Sequence, residues 1–143
     1  GVLSVLLRYM PYFNGYSTIA QKLAQGLHFG FSVSASLFDG MAGIGNTLID
    51  CFHSFGKQQY FDWALEAAHF CWAHRIPYDN ETIVFPDSYC QRISSDYGYG
   101  SMGILLFLNR IRTREIINFA IPLDDFIRGR LEKAALKNKF NES

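Results

Sequence analysis

One short pattern occurs twice in this chain, once from Gly40 and again from Gly100. Gly40-Met41-Ala42-Gly43-Ile44 opens an apolar run that continues through Gly45-Asn46-Thr47-Leu48-Ile49-Asp50. Gly100-Ser101-Met102-Gly103-Ile104 opens another, Leu105-Leu106-Phe107-Leu108. Glycine within a helix costs about 1 kcal/mol relative to alanine, so a pair at i and i+3 needs a reason. Without side chains these positions let another segment or a ligand come close. They also leave helix N-terminal N–H groups open, which favours anions. Recurrence at this period implies a helical array, whose units cannot bury their apolar faces alone. The 143 residues then read as one part of such an array.

Composition narrows the field. The chain is 49% hydrophobic and 16% aromatic, with no net charge. It lacks the basic stripe that nucleic-acid binding needs, and no apolar run approaches the roughly 18 residues that cross a bilayer. Neither nucleic acid nor membrane is expected as a partner. The opening Gly1-Val2-Leu3-Ser4-Val5-Leu6-Leu7 has no initiator Met or basic n-region and reads as the inside of a helix, so the chain is expected to begin further upstream. Cys51, Cys71 and Cys90 are odd in number and widely spaced, which is no disulfide framework; a reducing cytoplasm is the expected compartment.

Periodicity and breakers give the elements. A helix over about 1–10 stops at Pro11, and Asn14-Gly15 turns the chain. Ser17 is placed to cap a helix over 17–29, with Ile19, Leu23 and Leu27 on one apolar face. After a small-residue loop over 30–36, the first glycine signature starts a helix over 41–55, with Ile44, Leu48, Cys51 and Phe55 in phase. Another runs over 58–74, with Phe61, Leu65, Ala68 and Trp72 as its stripe. The stretch 82–93 changes character: Thr82-Ile83-Val84-Phe85, a Pro86-Asp87 break, then Tyr89 to Ile93 reads as a small strand-like insert. The second signature opens a helix over 101–112. A short apolar segment follows at 116–123, and a polar tail from Arg128 onward. The fold class is all-α, built of antiparallel helical hairpins.

Four stretches carry a resemblance to the C-terminal end of lanthionine synthetase C-like cyclase domains, closest to those of class III lanthipeptide synthetases. Ser36 to Gly45 resembles the family's Gly-Leu-Ala-Gly-Ile-Gly repeat. Ile83-Val84-Phe85-Pro86-Asp87 is similar to the apolar-Phe-Pro segment before its last repeat. Arg92 to Leu106 resembles its Ser-x-Asp-x-x-x-Gly-Ser-Ala-Gly signature, and Asn118 to Asp124 its short Leu-Pro-Leu-Leu-Asp segment. The resemblance implies that residues 1–127 form the last part of an α/α toroid, with 128–143 as a polar tail. It implies upstream lyase and kinase domains that phosphorylate and dehydrate Ser and Thr of a ribosomal precursor peptide. The cyclase then adds Cys thiols to the dehydrated residues, giving lanthionine or labionin rings. A part of the ring alone would expose large apolar faces and is expected to be inactive.

Zinc-dependent relatives hold their metal with two Cys and one His, two of these as Cys-His-Gly directly ahead of a repeat glycine. The corresponding residues here are Phe38 and Asp39 before Gly40. Phe38 has no donor atom. The resemblance therefore implies the class III pattern, with neither zinc nor another cofactor expected in this segment. Zinc delivers thiolate by lowering a thiol's pKa; without it, proximity or a protein base must serve. Cys71 and His74 have a chelating i, i+3 spacing, but no further ligand completes a set, and Cys51 and Cys71 read as small buried hydrophobes. His28, His53 and His74 lie near helix ends, where a cation is favourable.

Asp39 and Asp96 are the candidate catalytic residues. Each precedes a glycine signature, where it serves as general base or as helix cap. Tyr97 and Tyr99 are the candidate substrate-binding residues, or packing residues with a polar end. Two other readings stand beside the cyclase: a non-catalytic helical scaffold that binds precursor peptide or other domains, and an α/α-barrel glycosidase using Asp39 and Asp96 as its carboxylate pair.

Overall fold

The computed structural model describes residues 1–12, 15–28 and 30–115. Asn14 of the expected turn, the 116–123 segment, the Asn118–Asp124 stretch and the 127/128 boundary with its tail lie outside the described residues. Five helices and one two-stranded sheet are described: α1 (Val2–Tyr9), α2 (Ser17–Gln25), α3 (Met41–Phe55), α4 (Gln58–Ala73), β1 (Ile76–Pro77), β2 (Ile83–Val84) and α5 (Ser101–Thr113). The protein is thus mostly helical with a small antiparallel sheet. None of the described helices is long and apolar enough to cross a membrane.

The third helix is central. It touches α1, α4 and α5, while α2 packs on α1 and α4 on α5. Leu48, Ile49 and Cys51 of α3 are fully buried, together with Tyr60, Ala64 and Cys71 of α4 and Phe107 of α5. Burial pushes the thiols of Cys51 and Cys71 up to about 12, so both stay protonated core groups. Gly45 lets α5 come close: a Cβ there would run into the Phe107 ring and lie 3.0 Å from Ala67 Cβ. Gly56 ends α3 in the left-handed conformation, φ +65°, with its N–H on the Phe52 carbonyl.

Arg110 is almost wholly buried between α3 and α5. Its guanidinium donates to the Asn46 carbonyl and side-chain oxygens at 3.0 Å each, and pairs with the Asp50 carboxylate. A buried charge needs such partners. Asp50 and Arg110 are spaced in the chain as Gly40 and Gly100 are, so the ion pair joins matching positions of the two repeats.

Several expectations need correction. The second helix buries Ala20 and Ala24, not Ile19 and Leu23, which are 53% and 41% exposed. α2 packs on α1, and alanine's short side chain suits a closely packed face. Its N-cap is Tyr16, with Ser17 already inside the helix and no side-chain cap, and it ends at Gln25. On α4, Trp72 leaves the expected stripe for the surface, where Arg75 stacks over it at 4.7 Å. The strand-like insert is present, but its strand finds its partner outside the 82–93 stretch. Ile83–Val84 joins Ile76–Pro77, immediately after α4, while Pro86 and Ile93 form an isolated bridge that closes the 87–92 loop.

Candidate functional site

The two glycine signatures fold alike. In each, a loop (34–40 in the first, 94–100 in the second) climbs into the helix and hands its carbonyls to the first helical N–H groups. Met41 N–H donates to Ser34 O at 2.9 Å, and Ser101 N–H donates to Ser94 O at 2.8 Å. Both N-caps are extended glycines without a side-chain cap, Gly40 and Gly100. A Cβ on Gly40 would strike the Ser34 carbonyl, and one on Gly100 the Ser94 carbonyl. Likewise Gly43 is closed off by Leu37 O and Gly103 by Tyr97 O. The glycines therefore serve the loop's own backbone. At the start of α3 the N–H groups expected to be open to anions are occupied: those of Ala42 and Gly43 also reach back, to Ala35 O and Ser36 O.

These loops stand side by side. The N–H groups of Leu37 and Phe38 both donate to the Gly98 carbonyl, at 3.1 and 3.0 Å. The Phe38 ring lies over Gly98, where a Cβ would be only 2.7 Å from it. It meets Tyr97 and Tyr99 edge-on, with centroids 5.9 and 5.5 Å away. All three rings are exposed, forming one aromatic patch across the paired loops.

Each loop also carries an acid, used differently. The Asp39 carboxylate accepts hydroxyl bonds from Ser36 and from Ser88, the latter at 2.8 Å. It therefore does not cap α3; it ties the first signature to the 87–92 loop. That loop is held by Asp87, whose carboxylate accepts the N–H groups of Tyr89 and Gln91 and pairs with Arg92 at 3.3 Å. Burial raises the Asp87 pKa, but the backbone N–H bonds and the Arg92 charge outweigh it and leave the group below its ordinary value. Asp96 accepts from Ser94 Oγ and from the Tyr99 N–H at 2.7 Å, and these bonds lower its pKa. It braces its own loop, while the first N–H of α5 goes to the Ser94 carbonyl instead.

Beside the first loop lies a cavity of about 460 Å³, lined by residues of α1, α2 and the start of α3, with Phe38 and Asp39 among them. Asp96, Tyr97 and Tyr99 are not part of its lining. Phe38 thus separates two surfaces: the cavity with Asp39, and the aromatic patch with the tyrosines. The paired carboxylates that a glycosidase requires are not assembled in this cavity.

The expected Cys71–His74 pair has other partners. Cys71 Sγ contacts Ala35 O at 3.5 Å, and His74 Nδ1 bonds Phe70 O at 2.8 Å. Among the described residues no group of three or more His, Cys, Asp or Glu side chains is placed to hold a metal. His28 stacks on Trp63 and bonds Glu66, which links the end of the α2 segment to α4. Burial, and then the Arg110 charge, lower the pKa of His53.

Ser88 is the partner of Asp39 that the sequence hides. It stands far along the chain in an irregular loop, and no periodicity or motif links the two. No protein-family model matches the chain, and no curated protein or solved structure matches it either.

Proposed function

We propose that this chain is the C-terminal part of the cyclase domain of a class III lanthipeptide synthetase, with α1 to α5 contributing helical hairpins to an α/α toroid. The observation that carries this reading is the side-by-side pairing of the two signature loops through the Gly98 carbonyl. It gathers Phe38, Asp39, Tyr97 and Tyr99 at one end of adjacent helices, as a site lined by repeat loops requires. The partners are a dehydrated precursor peptide and upstream lyase and kinase domains of the same polypeptide, in the cytoplasm.

In the reaction, a Cys thiol of the peptide adds to the β-carbon of a dehydrated Ser or Thr. A sulfur–carbon bond forms, the thiol proton leaves to a base, and the α-carbon takes up a proton or attacks a second dehydrated residue, as in labionin. Asp39 is the proposed proton acceptor, since it lines the cavity. The aromatic patch of Phe38, Tyr97 and Tyr99 is the proposed surface for the peptide chain.

A second reading has its own support. Both hydroxyls on the Asp39 carboxylate come from structural loops, which favours a positioning role and a scaffold that presents peptide to other domains. One experiment separates them: the full synthetase with dehydrated precursor, assayed by thiol alkylation and mass spectrometry. Cyclisation should consume thiols, and Asp39→Asn should slow it by about 100-fold with dehydration unchanged. Unchanged thiol counts with the unaltered synthetase would assign the scaffold role.

A further inference from the structure

The hydroxyls that reach Asp39 do not divide its carboxylate between them. Ser36 Oγ and Ser88 Oγ both donate to Oδ1, the latter at 2.8 Å. A carboxylate oxygen offers about two lone-pair sites, so Oδ1 is fully engaged. Among the described residues no group bonds Oδ2. The donors are buried serines, whereas Asp39 itself is exposed. The filled oxygen is thus turned to protein, and the other is left for a partner from outside.

Ser36 and Ser88 are not equivalent. The bond between positions 36 and 39 has a counterpart in the second loop, where the Asp96 carboxylate accepts the Tyr99 N–H. It belongs to the brace that both loops share. Among the described residues every bond to the Asp96 carboxylate comes from within 94–100, so nothing in the second copy corresponds to Ser88. The 87–92 loop also holds Ser88 in place. Asp87 N–H donates to Arg92 O and Cys90 N–H to Asp87 O, each at 2.9 Å, and the Pro86–Ile93 bridge closes the base. With its carboxylate on the Tyr89 and Gln91 N–H groups, buried Asp87 fixes the chain directly ahead of Ser88.

We infer that Ser88 is a positioning residue of the Asp39 site: with Ser36 it fills Oδ1, holds the carboxylate away from the start of α3, and reserves Oδ2 as the oxygen that takes the substrate proton. The peptide's S–H bond breaks toward Oδ2 as sulfur bonds the β-carbon of the dehydrated residue, and the α-carbon takes up a proton to complete the addition. Without Ser88, Oδ1 has an open site and the carboxylate turns more freely about its side-chain bonds. A base presented in several orientations loses rate rather than substrate binding. The inference rests on Asp39 as proton acceptor in the proposed function.

The test uses the full synthetase and dehydrated precursor peptide, with thiol alkylation and mass spectrometry followed over time. Ser88→Ala should lower kcat for cyclisation by about 10-fold and leave KM within about twofold. Ser88→Thr, which keeps the hydroxyl, should retain most of the rate. In an Asp39→Asn background, Ser88→Ala should add nothing, because the residue acts only through that carboxylate. An unchanged kcat, a loss confined to KM, no rescue by threonine, or an equal further loss in the Asp39→Asn background would each overturn the inference. If the unaltered synthetase consumes no thiols, or Asp39→Asn cyclises at full rate, the proton-acceptor reading falls and this inference with it. If Asp39→Asn is slow and Ser88→Ala is not, the inference falls alone.

Discussion

The loop entering α3 and the loop entering α5 have the same backbone and different side chains. Ser36 and Asp39 in the first correspond to Asp96 and Tyr99 in the second. In the first, the hydroxyl at 36 bonds the carboxylate at 39. In the second, the carboxylate at 96 bonds the N–H at 99. Each loop is cross-braced between the same two positions, with the acid on opposite ends. The consequence is functional asymmetry. Asp96 is spent on its own loop, whereas Asp39, moved to the far end of the brace, also reaches Ser88 and faces a cavity. The shared backbone is thus the requirement of the fold, and the exchanged acid is where the two copies have room to differ.

The largest expected effect breaks both copies at their common element. Gly103→Ala should destabilise by roughly 3–4 kcal/mol, because its Cβ would meet the Tyr97 carbonyl and the Leu37 side chain together. Gly43→Ala meets the Leu37 backbone first and should cost less. Urea denaturation of the two variants reads the difference; equal costs would mean that the Leu37 contact contributes nothing. Next in size, Phe38→Ala should lose about 1 kcal/mol of edge-on ring contact, and Tyr97→Ala in the same background should then add little. A full second loss in that double-mutant cycle would show that the rings do not act as one patch.

The smallest effect concerns acid stability. Asp96 has a folded-state pKa below its ordinary 3.8, through Ser94 first and then the Tyr99 N–H. A carboxylate lowered by folding adds stability that is present above the ordinary value and is lost as pH falls through the folded one. Asp96→Asn should therefore lower the midpoint slightly near neutral pH, leave it nearly unchanged in strong acid, and so flatten its decline between the two. An acid limb identical to that of the unaltered protein would remove Asp96 from the account.

Local signals account for what was legible in the sequence. The bounds of α3 were readable because glycine marks both its start and its stop, and the likeness of the two signature loops was readable because they repeat. The buried face of α2 was not. Hydrophobicity favours Ile19 and Leu23, but the neighbour's approach selects Ala20 and Ala24, and the neighbour is not written in the local pattern. Nor was the strand partner of Ile83–Val84, since Ile76–Pro77 directly after a helix has no alternation to show. Within the site, Asp39 and the tyrosines stood out by position, while Ser88 and the cavity arise only from long-range packing.

The hydrogen bonds between the loops carry a further consequence. Leu37 and Phe38 give protons and Gly98 receives them, and a ring on one side fits a bare glycine on the other. Donor faces acceptor and knob faces notch, so the contact is not its own mirror. Two units meeting by a twofold axis would set donor against donor and ring against ring. A further unit added by this same joint would have to join head to tail, an order fixed by which atoms hold hydrogen.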